Sequence, residues 1–129
     1  EDKKIAAEIY TFDKTLNHVF ALIITDHAFN INQASFDVIS FNIDNFTNKN
    51  YKTVGELVDN KFILIIVSGF SDISQAMDYY NAFKTEKVVR NQTGAKMMTF
   101  IISSENLKVL KSDTDPGRYL LFFKEKYLK

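Results

Sequence analysis

The sequence lacks the residues that most often build metal and nucleophile sites. Cysteine is absent from the 129 residues, and histidine occurs only at His18 and His27. Without cysteine there is no disulfide framework, no thiolate zinc site and no thiol nucleophile. Neither histidine has a second His or a Cys at ligand spacing, and the four glycines form no phosphate-cradling cluster. We therefore expect no metal site and no cofactor.

The sequence also lacks an excess of charge and any long apolar run. The 16 basic and 16 acidic residues give a formal net charge of zero. Duplex-binding proteins carry a basic patch, so we expect no nucleic-acid partner. Phe62 to Val67, an apolar run that no other run exceeds, is far below the roughly 18 residues of a membrane-spanning helix. No signal peptide or initiator Met is present, so we expect an excised piece of a longer protein.

What the chain does contain is material for one core. Hydrophobic residues make up 46%, including 12 Phe and 6 Tyr. We expect a single α/β domain over residues 16–129 and a polar N-terminal extension over residues 1–15. Within the extension, Ile5, Ala6, Ile9 and Tyr10 are spaced as one short amphipathic turn or the tail of a preceding element.

Short apolar runs between turn residues predict the strands. Three read as buried, at His18 to Thr25, Phe62 to Ser68 and Met97 to Ser103. A weaker strand at Thr53 to Val58 contains Gly55, which favours an edge strand or an irregular strand. Residues 59–61 (Asp-Asn-Lys) predict a hairpin turn between this weak strand and Phe62.

Helical spacing predicts helices between and after these strands. The first runs from Asn30, a possible N-cap, to Asn45 and carries two apolar stripes, so we expect neighbours on two sides rather than a break near Ser40. Its stripes are Phe36, Ile39, Ile43 and Phe46, and Ile31, Ala34, Val38 and Phe41. A second helix runs from about Ile73 to Lys87 with a stripe of Ile73, Ala76, Met77, Tyr80 and Phe83. A short helical turn follows at Ser104 to Lys111, and Asp115-Pro116 starts a last helix whose apolar face is Tyr119, Leu120, Phe123 and Tyr127.

The predicted order is β-α-β-β-α-β followed by a C-terminal helix. This is the ferredoxin-like arrangement, an α+β fold with an antiparallel sheet and two helices on one face. A one-sided sheet has strands that alternate between apolar and polar residues, whereas these strands are apolar on both faces. The second face must therefore be covered by the C-terminal helix, by the N-terminal segment or by another molecule.

No catalytic constellation stands out, so we expect a protein that is not an enzyme. Ser68 lies in Val-Ser-Gly-Phe, which is not a nucleophile elbow. Ser103, Ser104 and Asn106 follow a strand, where such residues serve as helix caps. Tyr79 and Phe122 fall off the predicted core stripes, which makes them the candidate interface residues.

Three stretches resemble a known family. They are Phe62 to Phe70 leading into Ala76 to Tyr80, then Phe100 to Asn106, then Tyr119 to Phe123 ending at Tyr127. Over about residues 18–128 the chain resembles the C-terminal domain of the tetratricopeptide-repeat lipoproteins of Bacteroidetes, of the PorW/SprE kind. The resemblance implies type IX secretion and gliding motility, and a periplasmic, outer-membrane-associated setting. It implies a non-catalytic scaffold or protein-interaction module with a protein partner in the envelope, and it supplies no catalytic residues.

A second likeness is to SPOR domains, which share the β-α-β-β-α-β order and bind peptidoglycan. Val67-Ser68-Gly69-Phe70 followed by Ala76 is similar to their strand-to-helix junction. This likeness implies a glycan-binding module as the alternative function. A glycan would occupy an exposed sheet face, and the strongly apolar strands do not favour a wet groove there. A homo-oligomer remains compatible with either function.

Overall fold

A computed structural model describes residues 1–26, 28–86, 88–89 and 96–129. Each predicted strand and helix of the domain is present within two or three residues of its predicted bounds, and residues 1–15 add a helix. The strands are β1 (His18–Ile24), β2 (Lys52–Val58), β3 (Phe62–Ser68) and β4 (Met97–Ser103). The helices are α1 (Asp2–Ile9), α2 (Ile31–Asn45), α3 (Ile73–Lys84), α4 (Ser104–Asp113) and α5 (Pro116–Tyr127).

The four strands form one antiparallel sheet in the order β2-β3-β1-β4. Helix α2 connects β1 to β2 and α3 connects β3 to β4, so each crossover skips the strand between. This is the ferredoxin-like α+β fold with additional C-terminal helices, as predicted. Strand β3 is central, and its apolar run, which was predicted to be buried, lies between two neighbouring strands.

The hairpin between β2 and β3 is built by the residues predicted to turn. Asp59 and Asn60 both adopt left-handed backbone angles, with φ of 49° and 55°. Two successive left-handed residues match the twist of the flanking strands, and Asp and Asn tolerate this conformation. The turn therefore sets the register that places Val58 opposite Phe62.

Helices α2 and α3 cover the first face of the sheet. Phe20 of β1 contacts the rings of Tyr79 and Phe83 on α3. Helix α2 lies directly on β2, because a Cβ at Gly55 would stand 2.7 Å from the Ser35 hydroxyl and 2.9 Å from an Ile31 methyl group. Gly55 therefore serves the close approach of a helix and not an irregularity in the strand, whose register is continuous.

Helices α4 and α5 cover the β4 side of the second face, and the β2 side of that face stays exposed. Tyr119 of α5 packs edge-on against Phe100 of β4 with ring centroids 4.6 Å apart. Its hydroxyl donates to the Ile101 carbonyl oxygen at 2.8 Å. The C-terminal end of α4 reaches β2, where Lys111 pairs with Glu56. No helix in the described residues is long and apolar enough to cross a membrane.

Helix α1 packs on α5, so residues 1–15 are not a separate extension. Ala6 and Tyr10 are buried, and the Tyr10 ring lies 4.9 Å from Tyr119 and 5.6 Å from Phe122. The Asn106 side chain of α4 holds the segment after α1 in place, because it accepts from the Thr11 N–H and donates to the Thr11 carbonyl. The predicted boundary at residue 15 therefore falls inside the packed body.

Candidate interaction surface

The two aromatic residues predicted to be exposed are buried, so that prediction is wrong. Tyr79 has no exposed surface, since α2 and β1 enclose its ring and its hydroxyl donates to Asn42. Phe122 is 4% exposed because α1 covers it. The prediction failed because the core side of α3 is centred on Tyr79 rather than on Met77, and because α1 had not been counted as part of the domain.

The exposed apolar side chains concentrate on α2 and β2. Six large hydrophobic residues are exposed in the described part of the chain, and five of them lie on these two elements. Phe36 and Ile43 are 62% and 61% exposed and Ile39 is 41% exposed, all on α2. Val54 and Leu57 lie on β2. We call Phe36, Ile39, Ile43, Val54 and the outer edge of β2 the α2/β2 surface.

Helix α2 has two apolar stripes, and only one of them packs on the sheet. Ala34, Val38 and Phe41 face the sheet and are buried. The expectation that a second neighbour packs on the other stripe is wrong within the described residues, apart from Phe46, which packs on Tyr79. The remaining three side chains lie in solvent, although clusters of exposed large apolar residues usually mark an interface.

Two backbone hydrogen bonds determine which groups of β2 point outward. The N–H of Thr25 donates to the Lys96 carbonyl, and the N–H of Ser104 donates to the Asn17 carbonyl. The backbone N–H and C=O groups of the odd-numbered residues of β1 therefore point toward β4. Hydrogen-bonded and non-hydrogen-bonded residue pairs alternate along antiparallel strands. With the observed registers, the backbone groups of the even-numbered residues of β2 therefore point toward β3. The backbone groups that point away from the sheet are those of Thr53, Gly55 and Leu57.

The two edges of the sheet are treated differently. At the β4 edge, the same alternation turns the Ile101 carbonyl outward, and Tyr119 of α5 donates to it. At the β2 edge, no strand in the described ranges pairs with the outward groups. Unpaired edges invite another strand, and proteins usually block them with charged side chains, proline or bulges. Strand β2 has seven residues, no proline and an unbroken register.

Charged side chains flank the apolar residue at the middle of this edge. Lys52, Val54 and Glu56 alternate with the helix-facing residues and so lie on the second face of the sheet. Glu56 is paired with Lys111 at 2.6 Å, but its side chain remains 43% exposed. Along this edge the side chains are therefore, in order, positive at Lys52, apolar at Val54 and negative at Glu56.

His18 is a buried structural residue. Its Nδ1 donates to the Leu16 carbonyl at 2.8 Å, which leaves Nε2 to accept from the Tyr127 hydroxyl at 2.7 Å. Burial lowers the pKa of His18, although the Leu16 carbonyl and Asp13 oppose the shift. Burial also raises the pKa of Tyr127 to about 12, so its hydroxyl stays protonated as the donor. His27 lies outside the described residues.

Of the residues predicted to cap the helix after β4, Ser103 acts as a cap. The Ser103 hydroxyl accepts from the Asn106 N–H at 3.1 Å, which satisfies a free donor at the start of α4. Ser103 is fully buried. The hydroxyl is therefore engaged in helix capping.

Arg118 joins α1, α4 and α5 through three carboxylates. Its guanidinium contacts Asp113 and lies 3.5 Å from both Asp2 and Asp115. These carboxylates raise the pKa of Arg118 against the effect of burial. Among the described residues, the Arg118 Nε, one Asp113 oxygen and the Tyr10 hydroxyl are buried without a hydrogen-bond partner. The cluster is a structural clamp between helices.

The described residues offer little for a small ligand. The cleft between α1 and α5 holds about 260 Å³ and is lined by Ala7, Phe122 and the ends of Lys3 and Lys126. Binding pockets usually combine an apolar wall with a few convergent polar groups, and this cleft has only exposed charged rims. In the same described ranges, no group of three or more His, Cys, Asp or Glu side chains could hold a metal.

Comparison of the chain with protein-family models, with curated proteins and with solved structures found no match. The case for function accordingly rests on the α2/β2 surface.

Proposed function

We propose that this chain is a non-catalytic protein-interaction module and that it binds its partner through the α2/β2 surface. One observation carries the proposal. Five of the six exposed large hydrophobic side chains of the described residues lie on two adjacent elements, beside the β2 edge of the sheet, whose outward backbone groups pair with no strand in the described ranges. A surface of this kind fits addition of a strand together with packing of a helix.

The setting of the proposal comes from the sequence. The resemblance to the C-terminal domain of PorW/SprE-type lipoproteins supports a scaffold role in a cell-envelope assembly of type IX secretion or gliding motility. It supports a periplasmic, outer-membrane-associated location through a longer protein. Fractionation of source cells tests this setting, and recovery of the protein in the cytosol alone would contradict it.

The glycan-binding alternative has less support. A SPOR-like site needs a whole sheet face open to a glycan strand, but α4 and α5 lie over the β4 side of the second face, where Tyr119 packs on Phe100. Helices α2 and α3 cover the first face. Co-sedimentation with purified peptidoglycan tests this alternative, and saturable binding by the chain would favour it.

Site-specific photo-crosslinking in source cells tests the interaction function. A photoreactive amino acid at Phe36 should give a discrete protein adduct, because this side chain projects into solvent from the proposed surface. The matched control is the same probe at Glu105, an exposed position on α4. Equal labelling from both positions, or none from Phe36, would contradict the proposal.

A second variant links the adduct to the apolar stripe. Ile39→Asp places a charge between Phe36 and Ile43 on a side chain that the core does not use. The Phe36 adduct should disappear while the chain melts as the parent does. An unchanged adduct would show that the stripe does not contribute to binding.

A further inference from the structure

We infer that the partner on the α2/β2 surface is a second copy of this chain, joined edge to edge through antiparallel β2 strands with Val54 at the two-fold axis. The inference rests on the proposed interaction function and names its partner. The result would be one continuous eight-stranded sheet.

The backbone of β2 permits this pairing. Because Thr53, Gly55 and Leu57 turn their backbone groups outward, two copies can exchange hydrogen bonds only where outward residues meet. With Val54 on the axis, Thr53 lies opposite Gly55 of the other copy, which meets this condition. A two-fold interface is self-complementary, so the same open edge serves both chains.

Charge complementarity selects this register over its neighbour. With Val54 on the axis, Lys52 of each copy lies directly opposite Glu56 of the other, and the two Val54 side chains meet between these pairs. Opposite charges in directly opposed positions stabilise antiparallel pairs. The alternative register, centred on Gly55, would place Glu56 opposite Val54 and Lys52 opposite Val58, with no charge pair. The zero net charge of the chain adds no repulsion between copies.

Helix α2 places its apolar stripe at the same axis. Ser35 lies over Gly55, and Asn42 donates to the Thr53 hydroxyl at 3.1 Å. Ile39 lies between these two helix positions on the same side of α2, and therefore at the level of Val54. In the paired sheet the two α2 helices lie on one face. Their Ile39 side chains point toward each other across the axis, flanked by Phe36 and Ile43.

Single-cysteine crosslinking tests the axis, and the cysteine-free chain makes the test clean. At a non-hydrogen-bonded position the paired Cα atoms stand about 4.5 Å apart, within disulfide range. Val54→Cys should form a covalent dimer under mild oxidation. Leu57→Cys on the same strand is the matched control, because its copies would stand about 20 Å apart along the strand.

The mass of the chain in solution tests the association itself. Sedimentation over a concentration series should give a species of twice 14.9 kDa for the parent and a monomer for Val54→Asp, which opposes two like charges on the axis. A parent that stays monomeric, or equal disulfide yields from both cysteine variants, would overturn the inference. A monomeric chain whose Phe36 probe still captures another protein would overturn it and leave the interaction function standing.

A charge exchange tests the register. Lys52→Glu and Glu56→Lys should each weaken self-association by about tenfold, because each creates like-charge pairs across the interface. An equal mixture of the two variants should associate, since every pair is then opposite in charge. Failure of the mixture to recover would overturn the register. Glu56 also pairs with Lys111, so a melt of each variant checks folding, and the Val54→Cys result decides where Glu56→Lys does not fold.

Discussion

At the scale of single residues, a series of side-chain hydrogen bonds joins three elements of the core. Tyr79 of α3 donates to the Asn42 side chain of α2, whose amide donates to the hydroxyl of Thr53 on β2. Buried polar groups are tolerated only when they are hydrogen-bonded, so each member depends on the next. Burial raises the pKa of Tyr79 far above its ordinary value, which keeps the hydroxyl as a donor.

We expect Tyr79→Phe to lower the free energy of unfolding by about 1–3 kcal/mol, because it leaves the buried Asn42 oxygen without its donor. Chemical denaturation measures this change. The matched control is Tyr10→Phe, since the Tyr10 hydroxyl has no hydrogen-bond partner among the described residues and its loss should cost little. Equal losses from both variants would contradict this account of Tyr79.

His18 should make stability depend on pH. Its pKa in the folded chain lies below the ordinary 6.5, so the unfolded chain binds the proton more readily. The contribution of His18 is therefore full above about pH 6.5 and is lost as the pH falls toward the lowered folded pKa. We expect His18→Gln to flatten the loss of stability between about pH 7 and 5. Parallel pH curves for the two proteins would contradict the assignment.

Sequence patterns identified most core residues. They did not show which of the two apolar stripes of α2 faces the sheet. On α2, both stripes have large apolar side chains, and periodicity alone does not say which one meets the sheet. Gly55 decides it, because the missing side chain lets the Ile31 and Ser35 side of the helix approach β2. That contact joins residues 20 or more positions apart and leaves no mark on the helix itself.

At the scale of elements, α5 packs on the second face of the sheet beside the β4 edge. Of the three covers that the sequence allowed for the second face of the sheet, the C-terminal helix is confirmed. Tyr119 and Phe123 pack against Phe100, and the Tyr119 hydroxyl satisfies the outward carbonyl of Ile101. In the described ranges, the β4 edge receives this hydrogen bond from a helix, whereas no strand pairs with the outward groups of β2.

We expect truncation after Thr114 to lower stability by several kcal/mol, since each large side chain removed from the core contributes about 1.5–3 kcal/mol. Thermal unfolding of the shortened chain measures the loss. Truncation after Tyr127 is the control, because it removes only the exposed Leu128 and Lys129. Unchanged melting of the shorter chain would mean that α5 does not stabilise the body.

The packing of helix α1 could not be predicted from its own sequence. Its eight residues bury only Ala6, so the amphipathic spacing of Ile5, Ala6 and Ile9 does not show what the helix packs against. What stabilises it lies more than 100 residues away, where Tyr10 contacts Tyr119 and Phe122. Short helices are marginal without such packing, and a sequence read locally does not reveal a partner at that distance.

At the scale of the whole molecule, the topology was predictable because the strong local signals agree with one another. Three apolar strands, a turn with two residues that tolerate left-handed angles and two crossover helices leave few arrangements. The interaction surface was not predictable in the same way, because exposure of Phe36 and Ile43 depends on what α2 packs against. The core and the surface are made from the same residue types and differ only in their neighbours.

The central strand carries the last prediction. Ile65 is fully buried on β3, opposite Leu22 of β1 and Gly55 of β2. We expect Ile65→Asp to prevent stable folding of the whole chain, because an unpaired buried carboxylate costs several kcal/mol and a domain is stable by about 5–15 kcal/mol in total. Circular dichroism and a thermal melt measure the outcome. Val54→Asp makes a matched change in the adjacent strand at a position 61% exposed, and it should fold and melt as a monomer. A cooperative melt of Ile65→Asp near the parent temperature would mean that β3 does not lie at the centre of the sheet, and the ferredoxin-like order would fall with it.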